Sequence, residues 1–331
     1  QPFRHWPWLL QSDTFKNNAL ASWCSFNERI VGSASPLAVP HTAQSMFVII
    51  GYVVCLGCIF GVYIMHGGNI SVILKALPFE IITILGGALG AFVVNNQPKV
   101  LKATMAAIPA ALKGNKYTKA RYMDLMALLY DILQKARKEG LMAIEGDVEN
   151  PKESALFTKY PGVGTDHHVV EFMTDYLRMM VSGNLNAHEI EALMDSEIET
   201  HHQEAHAPVA ALTRLAGALP AFGIVAAVLG VVNTMGSVGQ PPAVLGGMIA
   251  SALVGTFLGI LLAYGLVEPI AGLLEQKAED AAKEFECIKS TLLASMQGYN
   301  PATAIEFGRK VLFSTDRPTF IELESHVKGK K

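Results

Sequence analysis

The sequence predicts an all-α integral membrane protein with four transmembrane helices, a helical cytoplasmic domain between the second and third, and a helical cytoplasmic tail. Charged residues make up 17% of the 331 residues and hydrophobic residues 51%, whereas an ordinary soluble domain has roughly 25% charged residues. No Asp, Glu, Lys or Arg occurs between Leu215 and Val267. The polar segments show helical periodicity and no region that resembles a set of strands.

Four stretches are apolar enough to cross a bilayer, which requires about 20 residues each. The first is MFVIIGYVVCLGCIFGVYIM, residues 46–65, and the second runs from about Pro78 to Asn95. The uncharged stretch holds the third and fourth, separated by SVGQPP at 237–242, where glycine and paired prolines end one helix and begin the next. We therefore divide the chain into transmembrane helices 1 and 2 (46–97), a cytoplasmic domain (98–213), transmembrane helices 3 and 4 (214–268) and a cytoplasmic tail (269–331).

The distribution of basic residues predicts the side of the membrane on which each segment lies, because cytoplasmic loops carry an excess of Lys and Arg. The loop between the first two spans offers only Lys75, and the turn at 237–242 has no basic residue. Six basic residues follow the second span: Lys99, Lys102, Lys113, Lys116, Lys119 and Arg121. We therefore expect residues 99–213 and both termini on the cytoplasmic side. A net charge of −3 without a basic stripe excludes nucleic acid as an expected partner.

Residues 1–45 do not fit this plan. Met46 is the first methionine of the chain, and it also opens the first span. No basic segment leads directly into an apolar core with a cleavage site, as a signal peptide would require. We expect an N-terminal extension that is disordered or not native, with a genuine cytoplasmic arm as the alternative.

The cytoplasmic segments carry further helix signals. In TKARYMDLMALLYDILQKARKEG, Gly140 is a candidate C-cap, and the following apolar residues have helical spacing: Tyr122, Leu125, Leu129, Ile132, Leu133 and Ala136. Asn186 is a candidate N-cap, and Glu189 follows three residues later as in a capping box. Apolar positions at helical spacing continue beyond Pro269, so we expect the last span to extend into the cytoplasm as a long helix.

The sequence lacks the usual signatures of catalysis, and it predicts neither an enzyme nor a cofactor. The stretch YPGVGTD contains glycines but lacks the GKS or GKT of a P-loop. Cys55 and Cys58 form a CxxC in mid-span, where helix packing is favoured over redox chemistry. His202 and His206 have the i,i+4 spacing that can bind a metal, but no third convergent ligand is evident in the sequence. A solvated helix face is the favoured interpretation, and no metal site is predicted.

Small residues recur along the predicted spans, where they allow two helix backbones to approach closely. In the fourth span they are spaced by four: Gly247, Ser251, Gly255, Gly259 and Ala263. The third span has Gly217, Ala221, Gly223, Ala227 and Gly230. Such stripes suit either hairpin packing within one chain or close packing around the helix of a partner. Pro220 lies inside the third span, where a proline kink is either static or a hinge.

Charged side chains are missing from the interior of the predicted spans. Ion and proton pathways usually carry intramembrane ionisable residues. Here the polar side chains at depth are Thr83, Thr234, Ser251 and Thr256, whereas Glu80 and Glu268 are expected near the ends. Either the chain is not a conductor, or the titrating carboxylate comes from another polypeptide.

Several long stretches now identify a resemblance to the MotA family, the A subunits of the bacterial flagellar stator. They include YTKARYMDLMALLYDIL, DYLRMMVSGNLNAHEIEALMDSEIETH, LPAFGIVAAVLGVV, GTFLGILLAYG and EFGRKVLFSTDRPTFIELE. The resemblance covers about residues 46–327, and these stretches occur in the family's order. The related energisers ExbB and TolQ share a span like GTFLGILLAYG, but they have one span before the cytoplasmic domain instead of two.

The resemblance implies a multi-pass protein of the bacterial inner membrane. Five such subunits form a ring around two MotB helices, and MotB contributes the aspartate that carries the proton. Ion flow, with H+ as the expected ion, turns the ring against the rotor protein FliG. The family's motor-coupling prolines correspond to Pro220 and Pro269.

The resemblance also assigns the other functional residues. Rotor contact corresponds to Arg137 and Glu145, and the hydroxyl beside the ion pathway corresponds to Thr256. Thr234, one of the few polar side chains within the spans, is a second candidate for the ion pathway on its position alone. Two alternatives remain, namely an energiser of the ExbB or TolQ type and a self-contained transporter.

Overall fold

The computed structural model describes residues 41–183 and 186–329, and within these ranges the regular structure is helical throughout. The expected N-terminal extension lies outside the described residues as far as position 40. The helices are α1 (His41–Met65), α2 (Ile70–Asn95), α3 (Pro98–Leu112), α4 (Lys119–Glu139), α5 (Glu145–Glu149), α6 (Ala155–Thr158), α7 (Pro161–Gly164), α8 (His167–Ser182), α9 (Ala187–Met235), α10 (Pro242–Ile260), α11 (Glu268–Met296), α12 (Pro301–Val311) and α13 (Phe320–Gly329).

Four of these segments are long and apolar enough to cross a membrane, as the sequence predicts. They are Ser45–Met65, Ile70–Asn95, Ala187–Met235 and Pro242–Met296. The last comprises α10, a π-helical segment (Leu261–Val267) and α11 without a break. The all-α fold with four candidate membrane helices is therefore confirmed.

The second span begins earlier than expected. Helix α2 starts at Ile70, where the Asn69 side chain accepts a hydrogen bond from the backbone N–H of Ser71 at 3.1 Å, and it passes through Pro78 without ending. The expected start at about Pro78 is therefore wrong by eight residues. A helix can continue through a proline in a membrane bundle, because neighbouring groups can satisfy the backbone carbonyl that has lost its N–H donor. As a consequence, Glu80 lies well inside the helix instead of near its end.

Two continuous helices connect the membrane region with the rest of the molecule. Helix α9 contains 49 residues, about 74 Å at 1.5 Å per residue, and the segment from α10 to α11 contains 55 residues. Both exceed the roughly 30 Å of a bilayer core. The N-terminus of α9 carries the predicted capping box, formed by Asn186 and Glu189.

The polar parts of the chain share one hydrophobic core. The predicted inward face of α4, from Tyr122 to Ala136, is buried there with residues of α8, α11 and α12. Gly140 follows α4 with φ +91°, a conformation that favours glycine, so the predicted C-cap is confirmed. A second, smaller core lies between α2, α9 and α10 and contains Ile84, Leu219 and Leu258.

Candidate functional site

The third and fourth spans approach each other closely through glycines. A Cβ atom placed on Gly223 would stand 2.8 Å from the carbonyl oxygen of Gly255 and 3.1 Å from the Cα of Gly259. A Cβ on Gly259 would meet the carbonyl oxygen of Leu219 at 2.8 Å. These neighbours are backbone atoms and cannot rotate away, so α9 and α10 can keep this distance only with glycine at both positions.

The small-residue stripe of the fourth span is divided between two environments. Gly255, Gly259 and Ala263 are buried against other helices of the same chain. Of the two alternatives that the spacing left open, this part of the stripe shows packing within one chain, because α9 occupies that face. Gly247 is exposed with no neighbouring atom within 4 Å of a Cβ, and Ser251 is half-buried. The open part of the stripe is thus confined to the N-terminal half of α10.

Glu80, which was expected near the end of the second span, lies where that span packs against the other helices. A Cβ placed on Gly255 would be 2.6 Å from Glu80 Oε2 and 3.2 Å from both the Ala226 Cβ and the Ala227 N of α9. Glu80 lies ten residues from the start of α2, which corresponds to about 15 Å along the helix axis. The expectation that the spans have no ionisable group at depth is therefore wrong. The signal that could have located Glu80 is Asn69, a good N-cap residue that moves the start of α2 upstream.

The hydroxyls predicted for the ion pathway occupy different positions. Thr234 is buried one residue before the end of α9 and donates to the carbonyl of Gly230 at 2.9 Å. Thr256 is half-buried in α10, next to Gly255. Within the described ranges the Thr256 hydroxyl has no hydrogen-bond partner. The hydroxyl of Thr256 is therefore the one left available to water or to a partner's carboxylate.

The two predicted motor prolines lie in continuous helices. Pro220 is half-buried inside α9, and its ring leaves the carbonyl of Ala216 without the N–H donor of a regular helix. Pro269 is exposed at the second position of α11, directly after the π-helical segment. A π-helix is wider than an α-helix, and the Tyr52 hydroxyl of the first span donates to the carbonyl of Leu266 in it at 2.9 Å. The helical segment Pro242–Met296 runs through Pro269 without a break, so this proline does not end the helix.

Arg137 and Glu145 lie on either side of a short exposed turn. Arg137 is in the last turn of α4, and Glu145 is the first residue of α5. Gly140 and a 3-10 turn, Leu141–Ile144, connect them. Both side chains are exposed, and neither has an ion-pair partner in the described part of the chain. Next to Arg137 is a cavity of about 410 Å³ that also contacts α8 and α11, so the turn offers free charges beside a recess.

A buried ion network fixes α4 against the rest of its domain. Arg121 Nε donates to Glu284 of α11 at 2.7 Å, and its Nη2 donates to Asp166 at 2.7 Å. Glu284 is 1% exposed, and this burial raises its pKa although Arg121 opposes the shift. Burial also acts to raise the pKa of Asp166, but Lys116 and Arg121 hold it below its ordinary value. Arg121 thus anchors α4, the helix that carries Arg137, to Glu284 of α11 and to Asp166, and the ionised form of each carboxylate is stabilised by the same guanidinium.

Two family descriptions match the chain. "Motility protein A N-terminal" matches residues 49–140, and "MotA/TolQ/ExbB proton channel family" matches residues 165–287. The second family consists of proton channels and is not an enzyme class. Together with the four apolar helices, these matches identify a multi-pass protein of the inner membrane.

Curated relatives match over almost their full length. The chain is 50% identical to "Motility protein A" of Salmonella typhimurium over 284 residues, which are 86% of this chain and 96% of the relative. It is 50% identical to the protein of the same name in Escherichia coli over 286 residues, with the same coverage. It is 38% identical to "Chemotaxis protein LafT" of Vibrio parahaemolyticus over 275 residues, covering 83% and 96%.

Solved structures agree in fold. The chain is similar to a chain of C. jejuni MotAB with a TM-score of 0.67 and 22% identity, covering 83% of this chain and 98% of that one. It is also similar to a chain of the flagellar MotAB stator complex from Bacillus subtilis, with a TM-score of 0.63, 25% identity and coverage of 86% and 98%. This chain therefore belongs to the Motility protein A family, the stator subunits that form the ion channel of the flagellar motor.

Proposed function

We propose that this chain assembles with a MotB-type subunit into a ring of five around two partner helices, and that the partner supplies the aspartate that carries H+. The support is chemical: within the uncharged or nearly uncharged stretches 46–65, 70–95, 215–235 and 242–267, Glu80 is the one carboxylate, and it is half-buried against other helices of its own chain. A partner carboxylate next to the free hydroxyl of Thr256 would complete a pathway that this chain lacks alone. The two solved relatives are MotAB assemblies.

The observation that carries the proposal is the continuity of α9 and of the segment from α10 to α11. Glycine contacts join these helices in the membrane, and both continue into the domain that presents Arg137 and Glu145. A displacement of the third and fourth spans is therefore passed directly to that domain. An ion crossing the membrane releases about 2.3 kcal/mol per charge per 100 mV, which is the energy available for such a displacement.

The orientation follows from the basic residues after the second span. We place residues 98–213 and both termini in the cytoplasm. The exposed turn between α4 and α5 would then face the rotor protein FliG. Arg137 and Glu145 would steer and align the two partners, since exposed charges affect encounter and register more than affinity.

The experiment compares two prolines of the same helix. Pro220→Ala restores the N–H inside the predicted membrane part of α9, and Pro208→Ala does so in the part before it. We expect the Pro220 variant to accumulate in the membrane and co-purify with the B subunit while swimming fails. The Pro208 variant should swim. Normal swimming by both variants would contradict coupling through the third span.

A further inference from the structure

Three imidazoles come together where the start of α8 packs beside α9, and a fourth follows directly in the sequence. His167 and His168 occupy the first turn of α8, and His201 and His202 lie in α9. The sequence pairs His202 only with His206 on the same helix and offers no third ligand. The fold brings further donors from α8, which lies more than thirty residues away along the chain.

The donors at the start of α8 are already close together. His167, His168 and Glu171 each offer one ligand atom, and these three atoms lie within 4.8 Å of one another. His167 Nδ1 is 3.1 Å from Glu171 Oε2. Ligands at about 2.1 Å from a tetrahedral zinc ion are roughly 3.4 Å apart, so these three exposed ligand atoms are already near the spacing that one ion requires.

A fourth donor is available from the neighbouring helix. The ring of His201 is centred 5.9 Å from that of His168. It stacks on Phe285 of α11 with a centroid distance of 5.0 Å and an interplanar angle of 8°. This stacking holds the imidazole beside α8 before any ion arrives. The Glu197 carboxylate, 3.9 Å from His201 Nε2, adds negative charge that favours a cation.

We propose that His167, His168 and Glu171, with His201 as fourth ligand, form a binding site for one divalent transition-metal ion of the zinc type. Imidazole with a carboxylate suits Zn²⁺, Co²⁺ or Ni²⁺, whereas Mg²⁺ prefers oxygen ligands alone. The bound ion joins α8 to α9, the helix that continues into the third span. The site lies apart from the ion pathway and does not depend on the proposed function.

The competing location is the pair in α9. The rings of His202 and His206 are centred 4.3 Å apart, and His206 Nε2 is buried with no hydrogen-bond partner within the described ranges. This pair offers two nitrogen donors. Among the described residues, no third histidine, cysteine or carboxylate lies close enough to complete a metal-binding group with it. An ion there would link two turns of one helix and not two helices.

The test is a calorimetric titration of the full-length, chelator-treated protein in detergent with ZnCl₂, and separately with MgCl₂. We expect one Zn²⁺ per chain and no heat from Mg²⁺. His168→Gln and Glu171→Gln should each weaken binding by about tenfold or more. The matched control is His188→Gln, an exposed histidine near Glu191 at the start of α9, which should leave binding unchanged.

A thermal melt separates a bridge between helices from a local site. A ligand that binds only the folded state raises the melting temperature, so Zn²⁺ should stabilise the wild-type chain. His201→Gln should bind more weakly and lose most of that stabilisation. The proposal is overturned if the wild-type chain binds no Zn²⁺ or if both α8 variants bind as the wild type does. Loss of binding in His206→Gln alone would also overturn it and place the ion on the pair in α9.

Discussion

The carboxylate of Glu80 in the second span lies against the backbone of Gly255 in the fourth, where a Cβ atom would be 2.6 Å from Glu80 Oε2. This contact places an ionisable group beside the residue that precedes Thr256. Intramembrane carboxylates are costly and are typical of ion pathways. Glu80 is half-buried at the place where α2 packs against α9 and α10.

We expect Glu80→Gln to preserve assembly and to reduce ion flow severalfold. The amide has the shape of the carboxylate but no charge, so packing against Gly255 is retained while attraction for a cation is lost. Co-purification with the B subunit and acidification of cells that express the open channel would measure both effects. Glu80→Asp, which keeps the charge, is the control and should conduct better. Equal conduction by wild type and Glu80→Gln would remove this residue from the pathway.

We expect Gly259→Ala to destabilise the bundle. The new methyl group would meet the Leu219 carbonyl oxygen at 2.8 Å and the Gly223 Cα at 2.9 Å, and overpacking of this kind costs about 1–3 kcal/mol. The melting temperature in detergent should fall and less protein should reach the membrane. Gly246→Ala is the matched control on the same helix, because no atom lies within 4 Å of its Cβ position. Equal melting of the two variants would refute the close-packing argument.

We expect Thr256→Val to leave assembly intact and to lower torque. Valine has nearly the same volume as threonine but cannot hydrogen-bond water or a carboxylate in the ion path. Thr83→Val is the control, since the Thr83 hydroxyl already donates to the carbonyl of Phe79 at 3.0 Å. Rotation of tethered cells should slow for the first variant and not for the second. Unchanged torque across a range of pH would exclude Thr256.

We expect the double charge reversal Arg137→Glu with Glu145→Lys to impair swimming without affecting membrane insertion or conduction. Both side chains are exposed and unpaired within the described chain, so the reversal should leave folding unchanged. A compensating charge reversal on the rotor protein should recover part of the swimming. Equally poor swimming with the native and the reversed rotor, at full expression, would rule out direct charge pairing.

We expect Arg121→Met to destabilise the protein by about 3–5 kcal/mol, because it leaves the buried carboxylate of Glu284 without its partner. Arg121→Met with Glu284→Met should lose less. Burial raises the pKa of Glu284, and loss of the guanidinium raises it further. A carboxyl whose pKa is higher in the folded than in the unfolded state stabilises the fold at low pH, and this stabilisation is lost as the pH rises through the folded-state pKa. The deficit of the single variant should therefore shrink from about pH 8 to about pH 5, as thermal melting at both values would show. A constant deficit would contradict this account.

Local patterns were sufficient to predict the four spans and several of the cytoplasmic helices. Apolar length defined four spans, and helical spacing identified the buried face of α4. The capping box at Asn186 and the glycine at position 140 marked helix ends correctly, because caps and left-handed turns depend on residues that are adjacent in sequence. Pro78 falsely indicates the start of the second span, because proline commonly begins a helix and the packing that tolerates it inside α2 is not local.

Contacts between distant segments were decided by the tertiary structure alone. The sequence allowed the stripe at Gly255 and Gly259 to face either its own chain or a partner, because spacing defines a helix face but not its neighbour. Likewise, His167 and His168 join His201 only when α8 packs beside α9. Position within the bundle is also a tertiary property. Glu80 lies in a helix whose start the sequence placed eight residues too late, and its neighbours come from two helices more than 140 residues away. The physical reason is that burial and proximity arise from the summed packing of helices, whereas periodicity and capping arise within one.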